Sequence, residues 1–488
     1  MKVLFYYHSE YLEIGIPGGI AILSAILKEH GHEVRLFETT FLRPSNYRKD
    51  MKAGPSIFKK TEHTIHDLVK DDPVVEIKEE FNRVLREYKP DLLAISAMTS
   101  SFDDTMEIVR EVKPQCLVIL GGVHATLCPE EALGEEIINM ICIGEGEGAI
   151  VDLCDLMDRD RDITRIPNIW FKKNSGIIKN PLRDLIDMDD LPVPDWSIFD
   201  RRHLFRPFDG MIYRGSFITS SRGCPGACNY CVNGAIRKIY NGKGRYFRSQ
   251  SPEKIARDIR ELKENYGATW FKFADDTFLL RSVDELEGLR DLLKEMSIQF
   301  GCSVQPTTVT QRKVALAKEM GCVAMSVGIE SGNETLRKRI LNRNISNREL
   351  ERAIRIIMEA GIRVSTFNMI GLPGETRENV FETIRFNKKL GIKAANVYIL
   401  YPFPGTQIAE SLRIDHRLGY KKTIPMSQAS IFNLSSMSRD ELEGLLKTFN
   451  LYLILPESEW GRIREAEGKG ERSQKVFEEL EELASSYL

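Results

Sequence analysis

Four times in the second half of the chain an amphipathic helix runs into a glycine and then a β-rich stretch, at Gly267, Gly321, Gly361 and Gly391. Helix–glycine–strand repeats of this kind build a parallel sheet with its helices outside. The strands read as Trp270 to Ala274, Val323 to Ile329, Val364 to Ile370 and Ala395 to Leu400. The first helix is well specified: Ser251 caps it, Pro252 takes the first turn, and Ile255, Ile259 and Leu262 form one face. With a strand at Ser216 to Thr219 and the segment Phe300 to Val304, residues 211–415 hold six β/α units. Such units curl into a partial (β/α)6 barrel or a complete one, with chemistry on the loops after the strands.

Residues 1–150 alternate as well. Val3 to Tyr7 is a short apolar strand, and Pro17-Gly18-Gly19 leads into Ile20 to Leu27, apolar nearly all round and so a buried helix. Gly31 ends it before the strand Glu33 to Phe37. Further strands lie at Leu92 to Ser96, Leu117 to Leu120 and Met140 to Ile143. Continuous apolar strands joined by helices predict an α/β domain with a doubly wound parallel sheet, whose ligands bind beyond the carboxyl ends of the strands. Those ends hold Ser96 to Thr99, Gly121-Gly122-Val123-His124 and Gly144-Glu145-Gly146. The proline-bearing run Asp187 to Trp196 marks 151–210 as a linker. Beyond about Leu418 the region 416–488 reads as helical and highly charged.

The loop after the first barrel strand reads Cys224-Pro225-Gly226-Ala227-Cys228-Asn229-Tyr230-Cys231. Three thiolates at C-x3-C-x2-C can hold three corners of a cubane iron–sulfur cluster, leaving the fourth iron open to bind and reduce a small molecule. The alternative is structural zinc, which prefers paired C-x2-C halves and four closed ligands. No second pair follows here.

This octapeptide resembles the signature of the radical S-adenosylmethionine (SAM) enzymes, and the likeness covers about residues 211–410. It implies a 4Fe-4S cluster on Cys224, Cys228 and Cys231, with SAM chelated by the open iron and cleaved by one electron to a 5'-deoxyadenosyl radical. It places Tyr230 near the adenine, and it puts Asp275, in Ala274-Asp275-Asp276, at the amino group of SAM. An acid there makes physical sense as a charge-assisted partner, and an exposed turn is the alternative. Glu330 takes the ribose hydroxyls with Ser331 beside it, or is an incidental acid next to a cap made by Ser331. Asn368 and Gly371 fall in the adenine-contacting motif, where glycine permits close approach to a planar ring.

The N-terminal strand ends resemble the cobalamin-binding domain that precedes the barrel in one branch of this family. The resemblance places Ser96, Thr99, Gly121, Gly122, His124, Gly144 and Glu145 around cobalamin. One departure matters: the D-x-H-x-x-G motif that supplies a cobalt-ligating histidine is absent, because the loop reads His8 to Gly15 with His8 seven positions before Gly15. Either the cobalt has no lower histidine, or the domain keeps its shape without the cofactor. His124, after a glycine turn, reads as a structural or tail-contacting residue rather than a cobalt ligand.

The expectation is an enzyme that methylates an unactivated carbon, with a cobalamin-dependent radical cyclase or rearrangement enzyme as the alternative. A corrinoid carrier with a vestigial barrel conflicts with the intact cysteine triplet. A tRNA methylthiotransferase would need a second N-terminal cysteine set, and none precedes Cys116. Asp276 and Tyr398 are candidates for the substrate side. A net charge of -3 gives no global reason to bind nucleic acid or an anionic membrane, so a small molecule, lipid or tetrapyrrole is the expected substrate. An electron donor such as a flavodoxin or ferredoxin is the expected partner. The other six cysteines are scattered among apolar neighbours and read as free thiols in a reducing cytoplasm. Neither a signal peptide nor an apolar run of the ~18 residues needed to span a bilayer is evident.

Overall fold

The computed structural model describes residues 1–45, 73–173, 176–393, 395–413 and 435–487. In the first sheet, β1 (Lys2–Tyr7), β2 (Glu33–Glu38), β3 (Leu92–Ser96), β4 (Leu117–Gly121) and β5 (Met140–Cys142) run parallel in the order β2-β1-β3-β4-β5. Val3 and Phe5 of β1 face one core while Leu4 and Tyr6 face another. This two-sided burial is why the strands read as unbroken apolar runs. The order reverses between β1 and β3, which opens a crevice at their carboxyl ends.

Residues 151–210 are not the linker expected. They add β6 (Ile169–Lys173) and β7 (Gly176–Lys179) antiparallel to the edge of this sheet. Trp196 and Phe199 are buried in the core that joins the two halves of the molecule. The prolines of this stretch separate short 3-10 turns instead of loosening the chain.

The second sheet begins with β8 (Phe205–Phe208), antiparallel to β9 (Met211–Ile218). A short ribbon of β10 (Ser221–Arg222) and β11 (Arg248–Ser249) follows. From β9 the sheet continues in parallel through β12 (Trp270–Phe273), β13 (Gln299–Val304), β14 (Cys322–Glu330), β15 (Arg363–Ile370) and β16 (Ala395–Ile399). The two edges, β8 and β16, do not pair, so the six parallel strands form a partial barrel. Phe271, Phe273, Phe300, Cys302, Val327 and Ile329 belong to the core shared with the outer helices. By strand alternation Lys272, Ser303, Ser326 and Phe367 therefore occupy the concave face.

Among the described residues, the short helix Gln407–Ser411 follows the last barrel strand, and residues 435–487 hold α-helices at Arg439–Ile454, Trp460–Ala466 and Glu471–Ser485. Helix Arg439–Ile454 covers the free edge of β16, where the Asn450 side chain accepts from the Ala395 amide (3.2 Å) and donates to its carbonyl (3.0 Å). The expected boundary at 415/416 lies outside the described residues. Among those residues no helix is long and apolar enough to cross a membrane.

Candidate active site

The cysteine loop leaves β9 through Ser220, Ser221 and Gly223. Gly223 takes φ 87°, and a Cβ there would stand 2.5 Å from the Tyr246 carbonyl oxygen, so a side chain cannot be accommodated. A Cβ on Gly226 would lie 3.3 Å from Cys224 Sγ and 4.0 Å from Cys228 Sγ, so these two sulfurs converge on one point. Each of the three sulfurs has an N–H neighbour. Gly226 N donates to Cys224 (3.4 Å), Arg343 Nη1 to Cys228 (3.8 Å) and Asn233 Nδ2 to Cys231 (3.7 Å). Hydrogen bonds to ligand sulfurs tune the potential of an iron–sulfur cluster. Burial pushes the Cys231 thiol up to about 11, the reverse of what a nucleophilic cysteine needs. Among the described residues, the group whose ligand atoms all lie within 4.8 Å of one another is His124, Cys128 and Glu131.

The two acids after β12 stand in different surroundings. Asp275 is fully buried and accepts from the Ser220 amide (2.8 Å), the Ser221 amide (2.9 Å) and the Ser220 hydroxyl (2.8 Å). Arg281 meets its other side at 2.8 Å. Its hydrogen-bonding capacity is spent on fixing the start of the cysteine loop. Asp276 faces the loop itself: it accepts from Asn233 Nδ2 at 2.8 Å, and Asn233 in turn accepts from the Tyr246 hydroxyl at 2.8 Å. Burial raises the Asp276 pKa, with the Asn233 hydrogen bond opposing.

Glu330 ends β14 in the left-handed region at φ 66° and is 8 % exposed. Burial raises its pKa, opposed by the Arg343 guanidinium at 4.0 Å and a hydrogen bond from the Tyr230 hydroxyl. Tyr230, Glu330, Arg343 and Cys228 thus form one connected wall. Arg343 was missed from the sequence, where nothing local distinguishes it from a surface arginine. Ser331 faces away from this wall: its hydroxyl accepts from the Asn333 amide (3.2 Å) and its carbonyl from Arg337. The helix cap is Asn333, not Ser331.

Asn368 is directed to the convex side. Its amide donates to Thr366 Oγ1 (3.0 Å) and its oxygen accepts from Asn387 Nδ2 (2.9 Å) on an outer helix, so it cannot serve a ring at the strand ends. Gly371 has φ 78°, donates its N–H to Glu375 (2.6 Å), and lies beneath Ile399 and Leu442. Tyr398, 42 % exposed, stands on the concave wall beside Phe367, ring centroids 6.5 Å apart.

A cavity of about 400 Å³ lies between the two sheets. One wall is the carboxyl edge of the first sheet: Gly18, Ser96, Gly121, Gly122, Gly144 and Glu145. Gly122, at φ 95°, is required because a Cβ would stand 2.6 Å from the Ala97 carbonyl oxygen. Thr126, unremarked in the sequence, ties two of these turns together, accepting from the Gly144 amide and donating to the Gly122 carbonyl, both at 2.9 Å. Thr99 and His124 do not line the cavity. His124 stacks on Phe102 at 3.8 Å in the core on the other side of the sheet, and burial lowers its pKa to about 4. Among the described residues no histidine lines the cavity.

The opposite wall belongs to the barrel: Thr219, Arg222, Gly223, Tyr246 and Arg248. Here the two halves are clamped. Arg222 meets Glu145 (3.1 Å) and Glu147 (2.5 Å), and Arg248 meets Glu145 (2.6 Å). Burial works to raise the Glu145 pKa, but Arg248 and Arg222 outweigh it and hold the carboxylate below its ordinary range.

Comparison with known proteins matches residues 218–387 to the radical SAM superfamily and residues 56–154 to the B12 binding domain. The chain thus carries a radical SAM domain and, before it, a B12-binding one. It is 28 % identical over 334 residues to an uncharacterised methyltransferase of Pyrococcus horikoshii, covering 67 % of this chain and 70 % of that one. It is 27 % identical to the anaerobic magnesium-protoporphyrin IX monomethyl ester cyclase of Cereibacter sphaeroides, covering 67 % of this chain but 54 % of the cyclase. In fold it is similar to the radical SAM methyltransferase TsrM of Kitasatospora setae, with TM-score 0.64, 16 % identity, and coverage of 100 % and 99 %. The radical SAM enzyme's cofactors are a 4Fe-4S cluster, SAM and cobalamin. Their fit is visible in the convergent sulfurs around Gly226 and in the glycine-rimmed cavity with its apolar base of Phe5, Ile20 and Ile119.

Proposed function

We propose that this enzyme transfers a methyl group to an unactivated carbon of a small-molecule, lipid or tetrapyrrole substrate, drawing its electron from a flavodoxin- or ferredoxin-like donor. The observation that carries the proposal is the single cavity walled on one side by the B12-domain glycines and on the other by the approach to the cysteine loop. A cluster on the three cysteines, with SAM, would supply a radical able to take hydrogen from carbon, and cobalamin in the cavity would supply a methyl donor.

The protein's contribution is placement, which converts an encounter into a pre-oriented reaction. Cys224, Cys228 and Cys231 hold the cluster. Tyr230, Glu330 and Arg343 form the wall against which SAM would lie, and Asp276, free of the salt bridge that occupies Asp275, faces the same loop. Tyr398 and Phe367 offer an aromatic surface to the substrate. The Cereibacter relative supports a second reading, radical cyclisation without methyl transfer. Product analysis of the anaerobically reconstituted enzyme separates the two. Methylation yields 5'-deoxyadenosine and S-adenosylhomocysteine in equal amounts, whereas 5'-deoxyadenosine alone would reject it.

A further inference from the structure

Most buried cations of this protein are neutralised or fully bonded. Lys254 meets Asp258 at 2.5 Å, Arg281 meets Asp275 at 2.8 Å, and Arg222 is held by two glutamates. Buried Arg206 is an exception, half-buried Lys272 is likewise unpaired among the described residues, and both adjoin Phe217 on the concave side of the barrel. Lys272 of β12 is the register partner of Phe217 in β9, and the Arg206 guanidinium carbon stands 4.7 Å over the Phe217 ring.

Arg206 is 7 % exposed. Its Nη1 donates to the Phe205 carbonyl at 2.9 Å, but Nε and Nη2 are buried without an acceptor among the described residues. Lys272 has no hydrogen bond or ion pair among those residues, and no carboxylate acts on it. Burial lowers its pKa and takes that of Arg206 down to about 10. Leaving such charges uncompensated is strongly unfavourable, and a ligand of opposite charge removes the penalty.

Resting on the methyl-transfer reading, we propose that the floor of the half-barrel seats an anionic group of the substrate, a carboxylate or a phosphoryl group, on Arg206 and Lys272. Trp270 and Phe208, ring centroids 5.4 Å apart and tilted at 37°, pack below this seat. Above it the concave face turns to small polar residues: Ser303, then Ser326 and Ser365, whose hydroxyls meet at 2.8 Å. Lys272 and its partner Phe217 are each the last residue but one of their strands, so the seat lies one strand residue, about 3 Å, beneath the start of the loops. A substrate held there by its charged end presents a carbon further along its skeleton to the cysteine loop.

The test is calorimetric titration of the full-length reconstituted enzyme with benzoate, phenyl phosphate and the neutral benzamide. An anion seat gives at least tenfold tighter binding of one of the two anions over benzamide, and which anion wins identifies the group. Lys272→Met should remove most of that preference while leaving benzamide unchanged. Acetic anhydride labelling of the wild-type chain should find Lys272 protected by the preferred anion, which keeps the question decidable if Arg206→Met fails to fold. Equal binding of all three probes, or a preference that survives Lys272→Met, overturns the proposal. SAM cleavage in the same samples reports separately on the methyl-transfer reading: an anion preference without 5'-deoxyadenosine would sink that reading and leave the seat standing.

Discussion

Asp275 is enclosed by two backbone amides, a hydroxyl and Arg281, whereas Asp276, one residue on, faces Asn233 and the cysteine loop. The two should respond differently to loss of charge. Asp275→Ala strands the Arg281 guanidinium in the core and should cost roughly 3–5 kcal/mol of folding stability, measurable by denaturant unfolding of the metal-free chain. Asp276→Asn keeps a hydrogen-bonding side chain and should change stability by less than about 1 kcal/mol while depressing 5'-deoxyadenosine formation. Glu375 offers a pH signature. Burial pushes its pKa up to about 7, despite hydrogen bonds from the Leu372 and Gly371 amides. A carboxyl with a raised folded-state pKa stabilises most below its unfolded value, and that contribution is lost as pH rises toward 7. Glu375→Gln should therefore flatten the decline in melting temperature between about pH 4.5 and 7.

At the level of elements, strand positions were legible because burial on two faces produces apolar runs and four of the barrel helices run into a glycine at positive φ, Gly267, Gly321, Gly361 and Gly391. The direction of single polar residues was less so. Asn368 sits in phase with Val364 and Ile370, so alternation alone assigned it to the convex face, a signal that its place beside a glycine motif obscured. Strand β8 went unseen because Phe205-Arg206-Pro207-Phe208 carries a proline, tolerated only because the strand is at an edge. Arg248 and Tyr246 reach the cavity from the far side of a long loop, and no local pattern announces that. The other edge, β16, is closed by one amide. Asn450→Leu leaves the Ala395 N–H and C=O unpartnered and should cost about 1–3 kcal/mol. It should also promote self-association through the bared edge, visible by light scattering.

Across the whole molecule, the corrinoid half and the radical half meet at Glu145, Glu147, Arg222 and Arg248. Because Glu145 is held below its ordinary pKa, its contribution is complete above the usual glutamate range, near 4.3, and fades as pH falls through the depressed value. Cobalamin retention through gel filtration should fall over that acid window, and Glu145→Gln should reproduce the loss at neutral pH. Arg222 is also separated from Cys224 by a single glycine. Oxygen that dismantles the iron cube would thus slacken the very segment that latches the B12 half. A protein handled in air should shed its cobalt along with its iron, and one rebuilt with iron first should take up cobalt more readily.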